Sequence, residues 1–134
     1  MLKFLYLYLL TTPVFFAIDM FWLGVVAKEF YRTNLAHLLR TDVNWAAAIV
    51  FYLLYILGIL IFATMPALEK ASLKHALVMG GLFGFFAYAT YDLTNLATLK
   101  DWPFKVVCVD IIWGMVLTAG VAMASFFIGR WVYS

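Results

Sequence analysis

Charge is scarce in this sequence. Asp, Glu, Lys and Arg make up 12% of its 134 residues, against 67% that are hydrophobic. A soluble domain of this length leaves too much surface in water to hide so many apolar side chains, so that class is excluded. The formal net charge of +2 and the lack of a basic cluster interleaved with aromatics argue against a nucleic-acid-binding surface. Cysteine is nearly absent: Cys108 stands alone and can form no intrachain disulfide. The two histidines, His37 and His75, are far from it in sequence, which argues against a cysteine–histidine metal site. Nothing in the chain calls for a cofactor.

Long apolar runs are abundant, and the mean hydropathy is +1.01. About 20 apolar residues cross a bilayer as a helix. The chain has room for four such spans, expected over about 2–26, 45–65, 72–97 and 104–132. The fold class this implies is an all-α integral membrane protein, a four-transmembrane-helix bundle forming one domain over 1–134. The first run is too long for a signal-peptide core and is interrupted by Asp19, so it reads as a retained helix. Pro13 should kink it, and Pro66 should stop the second. Asn44 or Asp42 can cap the second span. Its only sizeable polar groups are Tyr52 and Tyr55, which marks it as a plain packing partner or the helix most exposed to lipid.

The connection over 28–44 places Phe30, Tyr31, Leu35, Leu38 and Leu39 on one side of a helical wheel and Glu29, Arg32, Thr33, His37 and Arg40 on the other. That pattern fits a short amphipathic interfacial helix after the first span; the alternative is a loop packing its leucines on the bundle. The third span opens with Gly80, Gly81 and Gly84. The Gly80/Gly84 pair admits a close helix–helix approach, either within the chain or across a homodimer. Gly120 and Ala124 form a second small pair. Trp102 reads as an interface anchor, and Arg130, Trp131 and Tyr133 mark the far interface.

Three carboxylates interrupt the apolar spans. Each costs roughly 3 kcal/mol or more in hydrocarbon unless partnered, so intramembrane ionisable residues are functional candidates. Asp19 lies nine residues before Lys28, about 13 Å along an ideal helix; Asp92 lies eight before Lys100, about 12 Å; Asp110 lies five after Lys105, about 7 Å. With alternating helix direction, all three fall in the membrane half away from the termini. Asn95 joins them, and Tyr88, Asp92 and Asn95 share a helix face. Trp22 and Trp113 each follow an aspartate by one turn, a weak echo too short to establish a repeat. Carboxylates in contact cannot all ionise, so a shared proton or a bound cation is expected. The candidate ligand-binding residues are therefore Asp19, Trp22, Tyr88, Tyr91, Asp92, Asn95, Asp110 and Trp113. Asp92, Asp110 and Asp19 are the candidates for catalysis. The competing structural role is hydrogen bonding of each aspartate to a nearby indole or phenol. Asp19, Asp92, Asn95 and Asp110 are oxygen ligands of a kind suited to hard cations, but their spacing is not that of any metal site. Flanking Lys and Arg are nearly balanced, with a slight lean to termini inside, and dual insertion stays open.

Several stretches carry a family resemblance: Asp19 to Gly24 followed by Phe30-Tyr31; Asn44-Trp45-Ala46-Ala47; Phe51 to Tyr55; Ala87 to Leu99, with Tyr91-Asp92-Leu93-Thr94-Asn95 at its centre; Trp102-Pro103; and Val109 to Gly114. Together they resemble a bacterial membrane-protein family catalogued as domain of unknown function 2177, over nearly the whole chain. The resemblance implies a multi-pass protein of the bacterial inner membrane with four spans, and it implies no activity. The residues themselves point to a polar cavity in one membrane half that binds, or acts on, a membrane lipid or similar amphiphile. If the protein is an enzyme, paired aspartates would supply acid and base. The alternatives are a small ion-coupled transporter or exporter subunit and a non-catalytic scaffold. Tyr91-Asp92 with Asp110 is weakly similar to the aspartate pair of intramembrane aspartyl proteases, but the glycines of the second motif are missing. On this reading, spans one, three and four meet around Asp92 and span two stands aside.

Overall fold

The computed structural model describes residues 1–39 and 42–134. Four long apolar helices are long enough to cross a membrane: α1, Leu2–Val26; α3, Trp45–Glu69; α4, Leu73–Thr98; and α5, Phe104–Val132. The short helix α2, Lys28–Leu35, follows α1. No strand occurs among the described residues. The protein is an all-α membrane bundle.

Local chemistry sets the ends. Asn44 Oδ1 accepts from the Ala47 amide at 3.1 Å, capping α3, and Ser72 Oγ accepts from the His75 amide at 3.1 Å, capping α4. Helix α1 runs unbroken through Pro13. Pro66 does not stop α3, contrary to expectation. A wide π turn over Leu60–Thr64 precedes it, so the proline enters the first turn of the segment that continues to Glu69, where its missing N–H is least costly. The helix ends instead after Glu69, and Ala71, just beyond the cap residue Lys70, turns left-handed with φ 49°. There the Ser72 amide donates to the Ala67 carbonyl at 3.0 Å and the Ala71 amide to the Leu68 carbonyl at 3.2 Å, the pairing of a left-handed C-terminal cap. A second π turn, Trp22–Val26, closes α1.

Helices α4 and α5 form the tightest pair. A Cβ at Gly80 would meet Ala122 at 2.7 Å and the Thr118 carbonyl at 2.9 Å; one at Gly84 would strike the Gly114 carbonyl and the Thr118 hydroxyl. Both glycines are thus spent on packing inside the chain, one of the two uses the sequence left open. Gly120 has nothing near it and does not share in this contact. Helix α3 is tied to α5 by two buried hydroxyl pairs, Tyr55–Thr118 at 2.7 Å and Thr64–Ser125 at 2.7 Å. Phe15, Tyr55, Ile56, Ile59, Leu117, Val121 and Phe126 fill the core between α1, α3 and α5. Helix α3 is therefore neither an onlooker nor the helix most open to lipid: in their most apolar windows it is 28% buried and α1 17%.

Helix α2 is shorter than the amphipathic segment expected. Its apolar residues Phe30, Tyr31 and Leu35 pack on Trp102, Val106 and Val107, while Leu38 and Leu39 lie beyond its end and are exposed. Arg40, assigned to its polar face, is outside the described residues. The docked helix covers Trp102, leaving it 9% exposed. Trp102 is therefore a core residue of this end and not a free interface anchor.

Candidate functional site

Asp19, on α1, sits seven residues before the end of its helix, and Tyr91, on α4, seven before the end of its own. Phe51 and Asp110 sit six residues after the starts of α3 and α5. Each is thus about 10 Å from the same end of the bundle. There the four helices enclose a pocket of about 400 Å³. Helix α1 supplies Asp19 and Leu23, α3 supplies Phe51, Tyr52 and Tyr55, α4 supplies Ala87, Tyr88 and Tyr91, and α5 supplies Asp110 and Trp113.

The two Asp-x-x-Trp turns of α1 and α5 are brought together here and cross-paired. The Trp113 indole donates to Asp19 Oδ1 at 3.1 Å. The Trp22 indole donates to the Tyr31 hydroxyl at 3.2 Å, which donates to Asp110 Oδ1 at 2.8 Å. The indoles themselves stack, with centroids 4.3 Å apart and planes 6° from parallel. Each aspartate is thus served by the tryptophan of the opposite helix, one directly and one through Tyr31. The echo between the two turns, too short to weigh in sequence, corresponds to a real antiparallel pairing. Each indole N–H is satisfied, and the offset rings add about 0.5–1.5 kcal/mol.

Asp92 stands behind Asp110, outside the pocket lining. It is 0% exposed, and neither of its carboxyl oxygens has a hydrogen-bond partner. Its nearest polar neighbours are the Asp110 carboxyl and the Trp102 indole, and the Trp102 N–H is likewise buried without a partner. A buried carboxyl that closes no hydrogen bond is costly to hold, and the Trp102 indole is the donor placed nearest to it. Asp19 is 4% exposed and is faced by the Tyr52 hydroxyl as well as by Trp113.

The sequence-predicted residues divide accordingly. Asp19, Tyr88, Tyr91, Asp110 and Trp113 line the pocket. Asp92 is beside it. Trp22 is reached only through its stack on Trp113 and its bond to Tyr31. Asn95 faces the Tyr91 hydroxyl and not the carboxylates. Four polar or aromatic members were not anticipated as site residues: Tyr31, Phe51, Tyr52 and Tyr55. Tyr52 and Tyr55 gave a usable signal, as lone phenols in a wholly apolar span. Tyr31 gave less, because it sits on the apolar side of α2 among ordinary packing residues. Trp102 was visible but assigned to the surface. Among the described residues, no group of three or more His, Cys, Asp or Glu is placed to hold a metal.

A family model described as a predicted membrane protein (DUF2177) matches residues 4–127. The chain belongs to this family. Membership in DUF2177 agrees with the four-helix architecture and assigns no chemistry to the pocket. No curated protein and no solved structure matches the chain.

Proposed function

We propose that this DUF2177 protein binds a lipid-like amphiphile in the bacterial inner membrane, with the head group in the pocket against Asp19 and Asp110. The observation that carries the reading is the pocket itself. It has the size of an ordinary small-molecule site, aromatic walls and a few fixed polar groups. Its rim residues Leu23, Phe51 and Tyr91 are 38%, 52% and 58% exposed, on a bundle surface that is otherwise apolar. A tail can leave past them into the surrounding lipid while the head stays inside. The cost of holding a carboxylate in each of two spans is then offset whenever the pocket is filled.

Mass spectrometry of the purified protein tests this. A co-purifying amphiphile is expected with the wild type and should be depleted in Asp19→Asn and Asp110→Asn. Identical bound lipid in all three proteins would sink the reading.

A second reading is acid–base chemistry on that amphiphile. It is favoured by the different surroundings of the neighbouring carboxyls: Asp110 lines the pocket and accepts from the Tyr31 phenol, whereas Asp92 is wholly buried beside it. Such an asymmetric pair can divide acid and base roles. Lipid extracts of cells carrying wild type and Asp92→Asn should then differ in one class of product; matching extracts would remove the enzymatic reading alone.

A further inference from the structure

The electrostatic make-up of the pocket narrows the ligand further. Among the described residues, no Lys, Arg or His lines it. The donors reaching its carboxylates are neutral: the Trp113 indole on Asp19 and the Tyr31 phenol on Asp110. Behind Asp110 lies Asp92, wholly buried and with both oxygens unpartnered. Among the described residues, the site thus has two lining carboxylates, with a third acidic side chain beside them, and no positive partner, in a region where an unpaired charge is most costly. Apart from Leu23 and Ala87 the remaining lining is aromatic, Tyr55, Tyr88 and Trp113 among it, and the negative faces of such rings attract cations. Carboxylates and rings therefore ask for the same thing.

We propose that the amphiphile is a cation: an alkyl chain carrying one positively charged nitrogen and no anionic group, bound with the nitrogen beside Asp19 and Asp110. This rests on the pocket being the amphiphile site and specifies the head-group chemistry. A phosphate or carboxylate head would meet carboxylates, and no described residue offers a positive group to receive it. Asp92 lies beside Asp110, outside the lining, and does not touch the ligand. A small cation without a chain would use the same carboxylates but not the apolar rim, so chain length separates a free organic cation from an amphiphile.

The test uses the full chain in dodecyl maltoside micelles doped with a minor fraction of probe. The probes are dodecyltrimethylammonium, dodecyl sulfate, a brominated dodecyl maltoside and, without a chain, tetramethylammonium. Each is read by saturable displacement of a brominated alkylammonium that quenches tryptophan fluorescence, with direct quenching for the brominated maltoside. The expected result is displacement by dodecyltrimethylammonium, weakened about tenfold or more in Asp19→Asn and Asp110→Asn, with dodecyl sulfate and tetramethylammonium far weaker. Equal displacement by the sulfate, with both variants unaffected, would overturn the charge assignment and leave amphiphile binding standing. Displacement by tetramethylammonium as strong as by the long-chain cation would overturn the amphiphile part. If neither the brominated alkylammonium nor the brominated maltoside quenches saturably, the pocket is not a binding site and both proposals fall. The charge series on the wild type keeps the test decisive even if an aspartate variant unfolds.

Discussion

Tyr31 is the single side chain on which most of the polar network depends. Its hydroxyl accepts from Trp22 and donates to Asp110, and it comes from α2, outside the spans. Tyr31→Phe leaves one half-buried acceptor and one half-buried donor without partners, so stability should fall by about 0.5–1.5 kcal/mol, measurable by thermal unfolding in detergent. Burial first, and then the nearby Asp110 carboxylate, hold the Tyr31 phenol well above the usual tyrosine range. A folded value raised in this way adds stability that is complete below about pH 10 and is lost as pH climbs through the folded value. The gap between wild type and Tyr31→Phe should therefore be widest at neutral pH and narrow in alkali. A gap unchanged at alkaline pH would show that the phenol's proton does not matter. Ala71 offers the opposite case. Its φ of 49° is strained for a residue with a Cβ, so Ala71→Gly should raise stability by about 1 kcal/mol; a lower melting temperature would contradict the left-handed cap. Neither residue could be weighted from sequence. Tyr31 looks like one more apolar-face aromatic, and an alanine carries no turn signal.

The helices themselves were readable because their causes are local. Apolar length set the four spans, and Asn44 and Ser72 sit where capping residues belong. Pro66 misled for a local reason too: a proline is a stop only where the helix ahead of it is regular, and the π turn over Leu60–Thr64 is invisible to a propensity argument. The pairing of helices was half legible. Gly80 and Gly84 announced a close approach but not a partner, and the partner is α5. This gives a paired prediction. Gly84→Ala forces the α4 backbone off Gly114 and Thr118 and should cost about 1–3 kcal/mol by overpacking. Gly120→Ala meets nothing and should be neutral or gain up to about 1 kcal/mol of helix propensity. Unfolding curves for the two variants that coincide would refute the packing of α4 on α5. Between α3 and α5, Ser125→Ala removes the Thr64 pair and should cost about 0.6 kcal/mol, the average for a hydrogen bond between membrane helices, and at most about 1.7.

At the scale of the whole molecule, counting residues from helix ends was enough to bring Asp19, Asp92 and Asp110 to one level, because ideal helices of known direction carry depth information. Counting could not give rotation about each helix axis. For that reason Asp92 was expected at the centre of the site and lies behind it, while α3 was set aside and supplies three of the walls. Rotation is decided by packing, here by the glycine contact of α4 on α5 and the hydroxyl pairs of α3 on α5. The resulting pocket has contributions from all four spanning helices, so blocking it from one of them should abolish binding without loosening the bundle. Ala87 is the residue for this purpose. It lines the pocket from α4, is only half-buried, and makes none of the hydrogen bonds that hold the aspartates. Ala87→Trp places an indole in the cavity among Tyr88, Phe51 and Trp113, where added apolar contact offsets the crowding. Amphiphile binding should drop about tenfold or more, while the melting temperature stays within a few degrees of wild type. Binding that survives the substitution would place the amphiphile elsewhere on the bundle. A collapse of stability would show instead that the pocket is not free space. The two measurements together therefore separate an occupied site from a packing defect.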